Sequence, residues 1–128
     1  MDHHPVFDEL MFFAQMKARP GLWMGKKSLL SLRDQIFGMQ RAFAIMQARE
    51  KPFGYMEQFI EWYHQHVITE HSGYACWWNH LLYISGGFDD AAFDAFFKKF
   101  EAYLQEAHGL SLPQAREGWP VKEEESDV

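Results

Sequence analysis

Six apolar side chains, Leu29, Leu32, Ile36, Met39, Phe43 and Met46, recur after Ser28 at spacings of three and four residues. That period places all six on one seam of an α-helix. The Ser28 hydroxyl can accept a hydrogen bond from a free amide of the first turn. Arg33, Asp34, Gln40, Arg41 and Gln47 fall on other faces. A helix patterned this way must bury its seam against a neighbour, and the chain offers no strand run of useful length, so the neighbours are helices.

Four breaker clusters separate the remaining segments: Arg19-Pro20-Gly21, Lys51-Pro52-Phe53-Gly54, Ser72-Gly73 and Ser85-Gly86-Gly87. Glycine tolerates positive φ, and proline cannot donate a helical hydrogen bond. A first helix is expected from Val6 to Ala18, with Val6, Leu10, Phe13 and Met16 in one stripe and an end at Pro20. A third spans about Tyr55 to Glu70, with Phe59, Trp62 and His66 aligned. A fourth, Tyr74 to Ile84, is apolar nearly all round and is therefore expected to be central. A fifth starts at Asp89 or Asp90, where a carboxylate suits a helix N-terminus, carries Phe93, Phe96, Phe97, Phe100, Tyr103 and Leu104, and ends at Gly109. The expectation is an all-α, compact, single-domain bundle of about five helices over residues 1–112, with short connections favouring antiparallel neighbours. Residues 113–128 are expected to form a flexible acidic C-terminal tail, because Pro120 to Asp127 is polar and acidic.

Charge narrows the function. With 18 acidic against 12 basic residues the net charge is −6, and no dense Lys/Arg cluster exists, so phosphate-driven nucleic-acid binding is excluded. Attraction to anionic membrane surfaces is disfavoured for the same reason, and no apolar run approaches the ~20 residues that span a bilayer. Cys76 is the only cysteine, so no intrachain disulfide forms. Together with an N-terminus lacking a secretory pattern, this implies a cytoplasmic protein.

Candidate chemistry fares poorly. Glu61 and His64 have the Glu-x-x-His spacing of di-iron bundles and Glu57 lies one turn earlier, but no second such motif completes a ligand set. His64 and His66 diverge around their helix, and His71 falls past its expected end. No metal and no cofactor are expected. Cys76 and His80 sit four apart in the most apolar segment, which favours a packed thiol and a core histidine bonded through one nitrogen over a reactive pair. Ser72 and Ser85 lack a nucleophile-elbow context, and Ser85-Gly86-Gly87 lacks a Walker lysine or a GxGxxG pattern. No enzymatic activity is expected.

Lys17 to Gly25, reading Lys-Ala-Arg-Pro-Gly-Leu-Trp-Met-Gly, resembles a short stretch near the start of type II topoisomerase ATPase domains. The other parts of that ATP site are missing, so the resemblance implies no ATPase activity. As a piece of chain it is a turn, with Trp23 expected to tuck against the first two helices. A broader pattern covers residues 6–105: Arg19-Pro20-Gly21, then Gly25-Lys26-Lys27-Ser28-Leu29, a Leu- and Phe-bearing helix, Trp62 in the third helix and the late Phe-rich helix. It resembles small bacterial proteins, some of which are similar to immunity proteins encoded beside secreted polymorphic toxins. The resemblance implies a protein-binding module that neutralises a cognate toxin.

For such a module the net charge allows a basic partner, such as a toxin domain, met by an acidic surface. Glu57 and Glu61 on the third helix and Asp89, Asp90 and Asp94 on the fifth are the candidate protein-binding residues. The alternative is a small-molecule-binding helical protein whose aromatic pocket is lined by Trp62, Trp77, Trp78 and Tyr83. The Phe-rich helix, if apolar on two faces, could also serve as a dimer contact.

Overall fold

A computed structural model describes residues 7–68 and 76–119. All its regular structure among those residues is helical: α1 (Glu9–Ala18), α2 (Pro20–Met24), α3 (Leu29–Ile45), α4 (Gly54–His66), α5 (Trp77–Ile84) and α6 (Asp89–His108). No helix among the described residues is long and apolar enough to cross a membrane.

Local capping sets several of the ends, at Ser28 and Gly109 as read from sequence and at Asp8 in addition. The Asp8 carboxylate accepts the Met11 amide at 3.1 Å and starts α1, and Ser28 Oγ accepts the Ser31 amide at 3.0 Å and starts α3. Gly109 stops α6 in the left-handed region at φ 64°. The Arg19 to Gly25 stretch is more than a turn. Pro20, at the first position of a helix where its missing amide costs nothing, opens the five-residue α2, and Gly25 closes it at φ 80°.

At the centre lies α6. Phe93, Phe96, Phe97, Phe100, Tyr103 and Leu104 are all buried, while Asp94, Lys98 and Glu106 stay outside. Phe13 from α1 meets Phe100 at 4.6 Å between ring centroids. Phe59 from α4 meets Phe96 at 5.5 Å and Phe100 at 5.3 Å, both edge-on. Trp77 from α5 packs on Phe96 at 5.6 Å, and Phe53, ahead of α4, caps the cluster against Phe12 and Phe13. Each fully buried ring contributes roughly 1.5–3 kcal/mol through lost water contact, and the tilted and T-shaped contacts suit the ring quadrupoles. Since both shoulders of α6 are used inside the chain, it has no second apolar face for a dimer contact.

Two expectations need correction. The all-round apolar α5 is not central: Trp77 and Leu81 are buried, but Tyr83, Ile84 and the following Phe88 are exposed. Its outer face is apolar and largely exposed, and the central place falls to α6, which packs against α3, α4 and α5 and, through Phe100, against α1. Met46 also leaves the α3 seam. The helix ends at Ile45 and the backbone turns left-handed at Gln47, which puts Met46 at the surface, 64% exposed.

After α6 the chain runs back over α1. Leu110 and Leu112 pack on the core, Gln15 Nε2 donates to the Arg116 carbonyl at 2.6 Å, and Trp119 meets Trp23 edge-on at 5.6 Å. These contacts hold the first part of the expected tail, residues 113–119, against the bundle. Residues 120–128 lie outside the described part.

Candidate functional site

The five carboxylates singled out from sequence fall into two groups. Glu57 and Glu61 are one turn apart on the exposed side of α4, and neither has an ion-pair partner among the described residues. Asp89, Asp90 and Asp94 stand at the start of α6, beside the start of α3. Because α4 runs against the later part of α6, with Gln58 bonded to Tyr103, the groups are separated by most of a helix. Asp89 and Tyr103 lie ~21 Å apart along the axis.

Within the second group most of the charge is used internally. Asp89 accepts the Ser28 hydroxyl at 2.5 Å and the Leu30 amide at 3.1 Å, so it caps α3 from across the bundle. Asp94 pairs with Lys27 at 2.9 Å. Asp90 bonds its neighbour's amide, Ala91 N, at 2.8 Å. A single five-carboxylate surface is therefore not assembled.

A sixth acid went unread. Glu9 is only 8% exposed and accepts the Tyr55 amide at 2.9 Å on Oε1 and the Met56 amide at 2.7 Å on Oε2. It serves as the missing cap of α4, whose own N-cap, Phe53, has no acceptor in its side chain. Burial pushes its carboxyl up from 4.5 to about 7, with Glu57 adding to the rise and the two amides opposing it. No local pattern could have revealed this, because donor and acceptor are 46 residues apart.

Two further polar groups sit among the rings. Tyr63 Oη and His80 Nδ1 share a hydrogen bond of 2.6 Å. Burial raises the Tyr63 phenol well above its ordinary range. Burial, then the charges of His64 and Lys99, lowers the His80 pKa below its usual value. Tyr103 Oη contacts Gln58 Oε1 at 2.8 Å and His108 Nε2 at 2.9 Å. Both groups give buried phenols their polar partners and thereby tie helices together.

Of the four rings of the expected aromatic pocket, Trp77 and Trp78 meet edge-on at 5.5 Å, but the four face different neighbours. Trp62 packs on Phe59, His66 and Tyr103, Trp77 enters the core, Trp78 lies against Phe37, and Tyr83 is exposed. A cleft of about 480 Å³ between α1 and α6 is lined instead by Lys17, Lys27, Phe93, Asp94, Phe97, Lys98 and Glu101, where the Lys17–Glu101 and Lys27–Asp94 pairs balance most of the charge. Cys76 is half-buried at the N-cap of α5. Among the described residues no group of three His, Cys, Asp or Glu could hold a metal ion; His71 and Ser72 lie outside them.

What remains is the outer face of α5. No Asp, Glu, Lys or Arg occurs between Glu70 and Asp89, although 23% of the chain is charged. Trp78 is held between Phe37, edge-on at 5.5 Å, and the Arg33 guanidinium, 5.1 Å above its ring. One turn on, Leu82 lines a cleft of about 520 Å³ with Asn79, Tyr83, Gly86 and Gly87. Phe88, 67% exposed, lies nearby, with its ring 3.5 Å from where a Gly86 side chain would begin.

No protein-family model, no curated protein and no solved structure matches the chain.

Proposed function

We propose that this chain is a protein-binding module that docks its partner on the outer face of α5. The observation that carries this reading is the uncharged strip that runs from the half-buried Trp78 and Leu82 to the exposed Ile84 and Phe88, set on a helix whose other side is locked into the core. An apolar patch rimmed by polar side chains marks an interaction site more often than a monomer surface. Its occupant is a protein segment that inserts an aliphatic or aromatic anchor beside Leu82, with an acidic group at the Arg33 end. A toxin domain, the partner class that the resemblance to immunity proteins implies, could present such a segment. The acidic version of that idea is left with Glu57, Glu61 and Asp90, since Asp89 and Asp94 serve the fold.

Photo-crosslinking from Asn79, compared with Glu57 and Glu106, tests the reading in cells that make the protein. A discrete adduct with another protein is expected from Asn79 alone, and it should vanish on Leu82→Asp. Adducts from Glu57 instead would favour the acidic surface, and equal labelling at all three positions would overturn both versions.

A further inference from the structure

Gly38 lies in the middle of α3 on the side turned away from the core. Glycine destabilises a helix interior relative to alanine, and nothing among the described residues requires it. Its φ is not positive, and a Cβ built on it meets no atom within 4 Å. Glycine in an exposed helix lets another backbone come close.

The residues in line with it are Asp34, Arg41 and Ile45, spaced four, three and four along α3. They form a stripe opposite the buried Leu29, Leu32, Ile36 and Phe43. Ala42, next to this stripe, is also small and exposed. At its far end Ile45 is 73% exposed and Met46 64%. At its near end lies a cleft of about 450 Å³ lined by Trp23, Met24, Ser31, Asp34 and Gln35. Ile45 and Ser31 are each seven residues from Gly38, so the protruding side chains and the cleft lie ~10 Å to either side of it. Charge has the same arrangement. Asp34 and Arg41 flank the glycine, Arg41 has no ion-pair partner among the described residues, and both bonds from Arg33 to Asp34 fall on Oδ1.

We propose that two copies of this chain pair through α3, antiparallel and two-fold symmetric about Gly38. In that arrangement Asp34 of each copy faces Arg41 of the other, and Ile45 of each enters the other's cleft at Ser31. A parallel pairing would set Asp34 against Asp34 and Arg41 against Arg41. A two-fold contact is self-complementary by construction, and this stripe meets that requirement in charge, shape and close approach. One helix pair with its two side-chain insertions sits at the low end of specific interface sizes, about 1,200 Å² or less, so the dimer is concentration-dependent. The stripe adjoins the α5 face only at the Arg33–Asp34 pair, and crosslinking from Asn79 and sedimentation of the chain read the two contacts separately.

Sedimentation velocity of the full chain over a wide concentration range tests this. The wild type is expected to shift from monomer to dimer. Gly38→Leu keeps the helix and blocks close approach, and it should weaken association at least ~10-fold. Asp34→Arg alone and Arg41→Asp alone each place two like-charged pairs in the contact and should be monomeric. Mixed together, the Asp34→Arg and Arg41→Asp chains restore both pairs and should form a heterodimer. Helical circular dichroism confirms that each variant is folded. A wild type that stays monomeric throughout overturns the proposal, as does a dimer indifferent to these changes or a mixture that fails to associate.

Discussion

The Glu9 carboxylate in the first turn of α1 holds the Tyr55 amide at the start of α4, 2.9 Å away. Burial outweighs the two amides it accepts from and leaves the folded pKa at about 7 against an ordinary 4.5. A carboxyl raised on folding takes up a proton as the chain folds. Its contribution to stability is therefore complete below pH 4.5 and is lost as pH rises through 7. The difference corresponds to at most about 3 kcal/mol. Chemical denaturation at pH 5 and pH 8 should show the wild type losing about 2–3 kcal/mol more over this range than Glu9→Gln, which cannot ionise. Comparing the two proteins cancels the opposite slope of His80, whose lowered pKa favours the neutral ring. Equal slopes in both proteins would show that Glu9 is ionised throughout.

Ser28 and Asp89 form a second long-range cap. Ser28 accepts from Ser31 within α3 and donates to Asp89, which also accepts from Leu30. Removing either side chain should cost about 1–2 kcal/mol, the usual value of a helix cap. Because the two share one network, Ser28→Ala and Asp89→Ala should not add. Urea melts of the single and double variants should give a coupling of about 0.5 kcal/mol or more. Strict additivity would mean that Asp89 acts on Leu30 alone.

The end of α3 carries a local strain that can be relieved. Gln47 has φ 55°, and Ala48 N bonds the Phe43 carbonyl at 3.0 Å, in the hydrogen-bond pattern of a glycine-terminated helix. Glycine adopts this conformation without the steric penalty a side chain incurs. Gln47→Gly is expected to stabilise the fold by about 0.5–1 kcal/mol, read as a rise in melting temperature. A fall would mean that the exposed Gln47 side chain contributes more than its backbone costs.

Legibility from sequence followed the range of each interaction. Ser28, Pro20 and Gly109 act within a turn of their own position, and each shapes a helix end as its residue type dictates. The seam of α3 was legible as far as Phe43, since periodicity reports which residues share a face. Periodicity does not report what covers that face. Tyr83, Ile84 and Phe88 have the apolarity of core residues, yet they lie exposed, and Trp78 and Leu82 are only half-buried, so α5 was placed at the centre when one of its sides faces outward. Asp89 and Asp94 illustrate the same limit for charge. Their partners Ser28, Leu30 and Lys27 are about sixty residues away, so carboxylates that looked free for a partner are joined to α3 and the segment before it.

Trp77 and Trp78, adjacent in sequence, separate the two roles of α5 in one experiment. Trp77 is 3% exposed and packs on Phe96, so Trp77→Ala opens a cavity beside the central helix and should cost about 3–5 kcal/mol. Trp78 is only half-buried, and its contacts with Phe37 and Arg33 lie at the surface, where an edge-on ring pair and a cation–π contact each contribute about 0.5–1.5 kcal/mol. Trp78→Ala should therefore cost no more than about 2 kcal/mol, leaving a folded protein with the outer face of α5 flattened. Thermal melts of the two variants should differ widely, and only the Trp78 variant should remain usable for crosslinking from Asn79. Were Trp78→Ala as damaging as Trp77→Ala, α5 would be a structural helix on both sides, and its uncharged face would have no partner to explain.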